Sequence, residues 1–275
     1  MKSYYQGKLA LVVGGTEGIG LAVARRLGEL GCRVWVAARD EARLGEVCES
    51  LSAEPLALDV TDREKTRARL SQTMDSVGVF DLVVNCAGLA LPGYLDQQDP
   101  EDARLMMEVN FFGTHNVCKA VLNPMLKRGS GTIVNTASLG GLIGLFGYTG
   151  YCASKYAVVG FSEALRREVK PFGLKVCLLC PANTNTPGLA RENLTKPPEV
   201  LAQEENVRTV SPEHVADKLV KAVARGKSLV IPTLDGWGAY YLARFTPFLA
   251  DWILRRPKSD HSLEEVVSSG KNGAS

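Results

Sequence analysis

The sequence predicts an α/β fold: a single doubly wound domain with a central parallel sheet of about seven strands flanked by helices. Three observations carry this. Short apolar, β-branched runs recur along the chain, helical patterns separate them, and the first run passes through a glycine cluster directly into a helix. The strand candidates are Leu9 to Val13, Arg33 to Ala37, Pro55 to Asp59, Leu82 to Asn85, Thr132 to Thr136, Lys175 to Cys180 and Ser228 to Ile231. Most are continuously hydrophobic, as expected of strands covered by helices on both faces. The clearest helical stretches are Ile19 to Leu30 and Cys152 to Lys170. No internal repeat interrupts the alternation.

A chain of 275 residues with 45% hydrophobic content can bury one large core. Its 32 basic and 30 acidic residues leave a formal charge of +2, so no global field favours nucleic acid. Seven cysteines, an odd number, lie mostly within apolar runs and read as reduced core thiols in a cytoplasmic setting. Cys177 and Cys180 have a CxxC spacing, but three residues apart on a strand they point to opposite faces, which excludes a metal pair. No metal site is expected. Met1 to Gly7 is too polar and short for a secretory leader, and no run reaches the roughly 18 apolar residues of a spanning helix.

The organisation expected is a nucleotide-binding unit over residues 1–232, an extension over 233–256 and a polar tail over 257–275 expected to be disordered. Within the first unit, residues 181–210 are rich in Pro, Asn, Thr and Glu. They read as one long substrate lid of loop character. The extension reads as a helical, aromatic-rich amphipathic segment holding Tyr240, Tyr241, Phe245, Phe248, Leu249, Trp252, Ile253 and Leu254, kinked at Pro247. It suits an interfacial helix in lipid headgroups, and equally a helix packed on the core or on a partner subunit.

Gly14-Gly15-Thr16-Glu17-Gly18-Ile19-Gly20 follows the first strand and opens a helix, the Rossmann arrangement. Gly14 permits the tight turn, Gly18 lets the backbone approach a pyrophosphate, and Gly20 lets helix pack on strand. Thr16, Glu17 and Ile19 complete the loop, and the helix N-terminus offers N–H groups and positive dipole to phosphate. At the end of the second strand, where NAD-binding proteins carry an acid for the ribose 2′-hydroxyl, Ala38 is followed by Arg39. A guanidinium pairs with a 2′-phosphate, so Arg39 points to NADPH (NADP+). Glu17 argues against this, because it sits near the same phosphate. Asp59, followed by Val60, is placed to meet the adenine, or else to cap the next helix in competition with Thr61 and Asp62.

Asn85-Cys86-Ala87-Gly88, Asn110 in Val109-Asn110-Phe111, Ser138, and Tyr151 with Lys155 four residues on occur in the order and spacing of the short-chain dehydrogenase/reductase family, which the chain resembles over residues 6 to 232. Val13 and Ala182 depart from that pattern, where the family has Thr and Gly. The chemistry explains the residue types. A carbonyl that accepts hydride needs a proton in the transition state. Tyrosine, with an ordinary pKa near about 10, needs help to shuttle it at neutral pH. Lys155 lies one helical turn from Tyr151, and its charge is expected to lower the tyrosine pKa. Ser138 orients the carbonyl oxygen. Tyr148 has no lysine at the right interval and is set aside.

The resemblance further implies a proton relay through Asn110, a cofactor floor from Asn85, Ala87 and Gly88, and a carboxamide-binding segment with Pro181, Thr184 and Thr186. It also implies a homodimer or homotetramer. Within the family, Asn183-Thr184-Asn185-Thr186-Pro187-Gly188 and Glu192-Asn193-x-Thr195-Lys196-Pro197 resemble the 3-ketosphinganine-reducing branch, which implies NADPH-dependent reduction of a long-chain, lipid-like amino ketone. Leu89 to Leu95 and Leu139 to Phe146 are the apolar segments expected to line its alkyl channel. Glu192, Asp96 or Glu204 would receive its amine, none standing out from ordinary surface charge. Such an enzyme would be cytoplasmic, with the extension as a candidate peripheral contact on a membrane's cytosolic face. The competing readings are reduction of a β-ketoacyl, steroid or retinoid carbonyl, and a cofactor-binding sensor without turnover.

Overall fold

A computed structural model describes residues 1–205 and 207–254. Seven strands form one sheet: β1 (Leu9–Val13), β2 (Arg33–Ala38), β3 (Glu54–Ala57), β4 (Leu82–Asn85), β5 (Gly131–Thr136), β6 (Leu174–Leu179) and β7 (Leu229–Val230). All pair in parallel, in the order β3-β2-β1-β4-β5-β6-β7. The order reverses between β1 and β4, and at such a switch point the loops leaving the two strands part and open a crevice.

The helices are α1 (Gly18–Glu29), α2 (Glu41–Leu51), α3 (Arg63–Val77), α4 (Pro100–Met106), α5 (Gly113–Arg128), α6 (Thr149–Val169), α7 (Pro187–Asn193), α8 (Pro198–Glu204), α9 (Pro212–Ala224), α10 (Leu234–Phe245) and α11 (Pro247–Leu254). A π-helical segment, Met107–Phe112, joins α4 to α5. One face of the sheet is covered by Val23 and Leu27 of α1 with Leu219 and Val223 of α9. The other is covered by Leu70 of α3, Val117 and Val121 of α5, and Leu165 of α6. With both faces covered, alternation would serve no purpose, which is why β1 reads Leu-Ala-Leu-Val-Val. Cys177 packs into the first layer and Cys180 into a third cluster near Ile231.

Three expectations need correction. The third strand ends at Ala57, not Asp59. The Asp59 carboxylate accepts from the Thr61 N–H at 3.0 Å and hydroxyl at 2.8 Å, a local turn that draws the chain out of the sheet, while Asp62 caps α3. The lid is not one long loop, for it contains α7 and α8. Proline misled the reading: Pro187 and Pro198 each open a helix, where the missing N–H has no partner to lose and φ is already set. Thr186 caps α7 by accepting from the Leu189 N–H at 3.1 Å. In the extension the break falls at Thr246, with Pro247 starting α11. The tail expected to be disordered lies outside the described residues.

Leu27 is fully buried between the sheet and α9. Leu27→Ala should lower the unfolding free energy by about 2–5 kcal/mol in urea denaturation. A loss below about 1 kcal/mol would show that this interface relaxes around the void.

Candidate active site

A cleft of about 1010 Å³ opens at the switch point. Its lining includes Gly14, Thr16, Glu17, Gly18, Ile19, Gly20, Arg39, Asp59, Val60, Ala87, Gly88, Ser138, Tyr151, Lys155, Pro181, Thr184 and Thr186. Two sequence-selected residues, Asn85 and Asn110, are not in the lining. Both stand behind the wall, almost fully buried.

The glycine loop is shaped by close approach. A Cβ on Gly14 would stand 2.6 Å from the Ala87 backbone nitrogen, and one on Gly20 would stand 2.1 Å from the Gly14 carbonyl oxygen. Gly18 has φ +53° and lies against Thr186, where a Cβ would come within 3.0 Å. Only bare backbone fits here, and it presents the N-terminus of α1 to the cleft, a cradle suited to the pyrophosphate of a dinucleotide. Beyond it, Arg39 is exposed and makes no ion pair among the described residues. Glu17, whose charge counted against NADPH in the sequence, is paired with cations. It accepts from Arg43 of α2 at 2.9 Å and from Arg191 of α7, and these partners hold its carboxyl below the usual carboxylate range. Both arginines line the cleft, and neither was singled out from the sequence. Arg43 was findable, being four residues beyond Arg39 in the first turn of the helix that follows β2. Arg191 was hidden by reading α7 as loop.

At the other end of the cleft, α6 carries Tyr151 and Lys155 while β5 delivers Ser138. Lys155 is 5% exposed; its Nζ donates to the Thr136 carbonyl at 3.2 Å and lies 5.8 Å from the Tyr151 ring centroid. Burial pulls its pKa down to about 8. Burial also pushes Tyr151 above the ordinary tyrosine value, opposed by a hydrogen bond from Ser138. Lys155 is not among the groups that shift Tyr151 in the protein alone, so the lowering expected from the sequence does not appear, and Tyr151 keeps its proton. Asn85 donates to Asn135 at 2.8 Å, and Asn135 to Ser162 at 2.9 Å, a buried chain tying β4, β5 and α6 together. Asn110 lies in the π-helical segment; it accepts from the Leu89 N–H at 2.8 Å and donates to the Leu89 carbonyl and Ser154 hydroxyl at 2.9 Å. Its amide thus clamps the loop after β4. For a relay, its main-chain carbonyl is the group left, and that already accepts from Thr114 at 2.8 Å.

The apolar wall differs from the expected one. Leu89, Ala90 and Leu91 line the cleft, but of Leu139 to Phe146 only Leu145 does so. Leu139 and Leu142 instead pack with Trp237 and Tyr240 of α10. Leu105, Val109 and Leu189 take their place. Tyr148, set aside as a proton donor, also lines the cleft, with its ring 5.9 Å from that of Tyr151. Among the described residues no cluster of metal-binding side chains occurs, and all seven cysteines are free.

A parallel sheet with a phosphate cradle at its switch point and a buried lysine one turn from a tyrosine defines an oxidoreductase that moves hydride at a CH–OH group. The short chain dehydrogenase model matches residues 8–197, and the chain belongs to that family. It is 35% identical over 230 residues to the 3-dehydrosphinganine reductase of Danio rerio, covering 80% of this chain and 69% of that one. To the 3-ketodihydrosphingosine reductase of Mus musculus it is 33% identical over 274 residues, covering 96% and 80%. The 3-oxoacyl-(acyl-carrier-protein) reductase FabG of Vibrio harveyi is 35% identical over 193 residues, covering 70% and 77%. A Burkholderia phymatum short chain dehydrogenase/reductase solved with NAD superposes with TM-score 0.79 at 25% identity, covering 94% of this chain and 98% of that one. A Burkholderia cenocepacia short chain dehydrogenase solved with NADP gives 0.78 at 25% identity, covering 92% and 99%.

With Lys155 at about 8 in the folded protein and near about 10.4 when unfolded, the unfolded chain holds a proton across that window that the folded chain has released. Stability from this group therefore rises with pH over that interval. Wild type should gain stability relative to Lys155→Met as pH is raised from about 7.5 to about 9.5 in urea denaturation. A difference independent of pH would contradict the burial assignment.

Proposed function

We propose that the protein reduces 3-ketosphinganine to sphinganine, using NADPH. The observation that carries this reading is the cleft, where an apolar wall of Leu89, Leu91, Leu105, Val109 and Leu145 runs beside Tyr151. Each methylene laid against such a wall contributes about 0.8 kcal/mol, so a long alkyl chain binds there without further polar contacts. The names of the two vertebrate relatives support the same substrate. NADPH is supported by Arg39, which follows the end of β2, lines the cleft and makes no ion pair among the described residues, as suits a 2′-phosphate.

The residues then divide the work. The glycine loop, Ala87 and Gly88 hold the dinucleotide, Lys155 its nicotinamide ribose, and Pro181, Thr184 and Thr186 its carboxamide end. The bound cofactor supplies hydride. Ser138 donates a hydrogen bond to the carbonyl oxygen, and Tyr151 gives that oxygen its proton as negative charge develops there. Burial keeps Tyr151 in the protonated form that a donor needs, while making that proton harder to give up. Asn110 and Asn85 act from behind, fixing the loop after β4 and the floor of the site. A second reading, reduction of a β-ketoacyl thioester, draws support from the FabG relative.

The extension fits a lipid-derived substrate. Trp237 and Tyr240 pack against the same buried cluster as Leu139, the residue after Ser138, while Tyr241, Phe245, Phe248 and Trp252 are more than half exposed. An aromatic ladder beginning beside the catalytic serine suits peripheral contact with a membrane surface. No described helix is long and apolar enough to cross one.

Purified protein should oxidise NADPH with 3-ketosphinganine at least about tenfold more efficiently than with a β-ketoacyl thioester, and NADPH should outperform NADH. Turnover of the thioester alone would keep the chemistry and discard the substrate. Arg39→Asp should weaken NADPH binding by about tenfold or more, the scale of one charged hydrogen bond, with little effect on NADH. Equal weakening of both would remove Arg39 from the 2′-phosphate site.

A further inference from the structure

The lid brings three charged groups to the edge of the catalytic cleft. Lys196 has a side chain only 1% exposed, with its ammonium 2.6 Å from Glu204 and 3.2 Å from Glu192. The Tyr148 hydroxyl is 2.6 Å from the Glu192 carboxylate and 3.2 Å from that of Glu204, and the Asn183 amide donates to Glu204 at 3.1 Å. Lys196 is the only cation paired with either carboxylate among the described residues. Two carboxylates against one ammonium leave a net charge of −1.

This is not the structure of a passive lid. Withdrawing an ammonium from water beside two carboxylates only 18% and 21% exposed is costly, and a lid held for stability alone is served as well by apolar side chains. The surplus charge also faces the cleft, since Tyr148, Asn183, Glu192 and Glu204 line the same cavity as Tyr151. That a ligand passes beside them follows from the site itself. What the carboxylates decide is which ligand. Lys196 already shows that they accept an alkylammonium. One negative charge remains for a second.

We propose that Glu192 and Glu204, presented by Tyr148 and Asn183, select carbonyl substrates that carry an ammonium group beside the reacting carbon, with Lys196 as the resident cation that keeps the pair from repelling in its absence. The proposal rests on the amino-ketone reading above and deepens it. In a 2-amino ketone the ammonium is bonded to the carbon next to the carbonyl, so with the oxygen at Tyr151 and Ser138 it stays close to Tyr151, whose ring is 5.9 Å from that of Tyr148. Anionic carrier-bound thioesters are disfavoured by the same charge, and N-acylated analogues lack the cation.

The test uses the whole protein loaded with NADP+ and reads binding of dodecylammonium and of 1-dodecanol by calorimetry, apart from any turnover. Wild type should prefer the ammonium by about tenfold or more, the scale of one charged hydrogen bond. Glu192→Gln and Glu204→Gln should each reduce that preference, whereas Lys196→Met, which leaves a charge of −2, should increase it. A merely structural triad would weaken both ligands together in all three variants. Equal binding of the two probes by wild type, or parallel losses in the variants, would overturn the proposal. Should the ammonium preference hold while 3-ketosphinganine is not turned over, the substrate reading falls and the cation site stands.

Discussion

The site is organised around one buried ammonium. Lys155 lies where water is nearly excluded, with the Thr136 carbonyl as its hydrogen-bond acceptor among the described residues. An ammonium in that position is tolerated only if the surrounding backbone comes close enough to replace solvent. Gly88 does so directly, and two further elements hold the helix and loop around it in place. Gly88 has no side chain, and a Cβ there would stand 2.9 Å from the Asn110 amide oxygen and 3.2 Å from the Lys155 nitrogen. Gly141 lies so near α6 that a Cβ would be 2.8 Å from the Lys155 carbonyl oxygen. The π-helical segment brings Asn110 inward to clamp Leu89, and Ser154 of α6 completes that clamp. Glycines and asparagines that look like separate motif positions thus answer one electrostatic demand.

The same demand explains why Tyr151 depends on more than its neighbour. Burial favours the neutral form of both groups, drawing Lys155 down and Tyr151 up. On the proposed reading, a proton donor in such a dry site, aimed by Ser138, serves an oxygen that becomes basic only as hydride reaches the carbon. Charge elsewhere in the cleft is held by protein groups: Glu17 pairs with Arg43 and Arg191, while Glu192 and Glu204 share Lys196 and keep one negative charge in surplus. Arg191, Glu192 and Lys196 all belong to the lid and its edge, so one segment meets both ends of the cleft.

Much of this was legible in the sequence, because the fold imposes patterns on short windows. Strands buried on both faces are continuous apolar runs, and the glycine loop must be glycine where Gly14 and Gly20 meet backbone. The Tyr151–Lys155 interval is one helical turn. Less legible was anything depending on how distant segments meet. Pro187 and Pro198 looked like loop residues because proline in isolation does not distinguish a turn from the first residue of a helix. Once α7 and α8 were missed, Glu192 and Glu204 could only look like surface charge, and Tyr148 like a misplaced copy of Tyr151. Asp59 was drawn into β3 by its apolar neighbours, although its carboxylate is bound locally to Thr61.

The central claim is that Tyr151 is the proton donor of a carbonyl reductase, and Tyr151→Phe tests it most directly. The variant keeps the ring that fills the cleft and loses only the hydroxyl. Ketone turnover should fall by about 10²- to 10⁴-fold, the usual contribution of a positioned acid, while NADPH binding followed by its fluorescence stays near wild type. Turnover close to wild type would show that another group supplies the proton and would contradict the account.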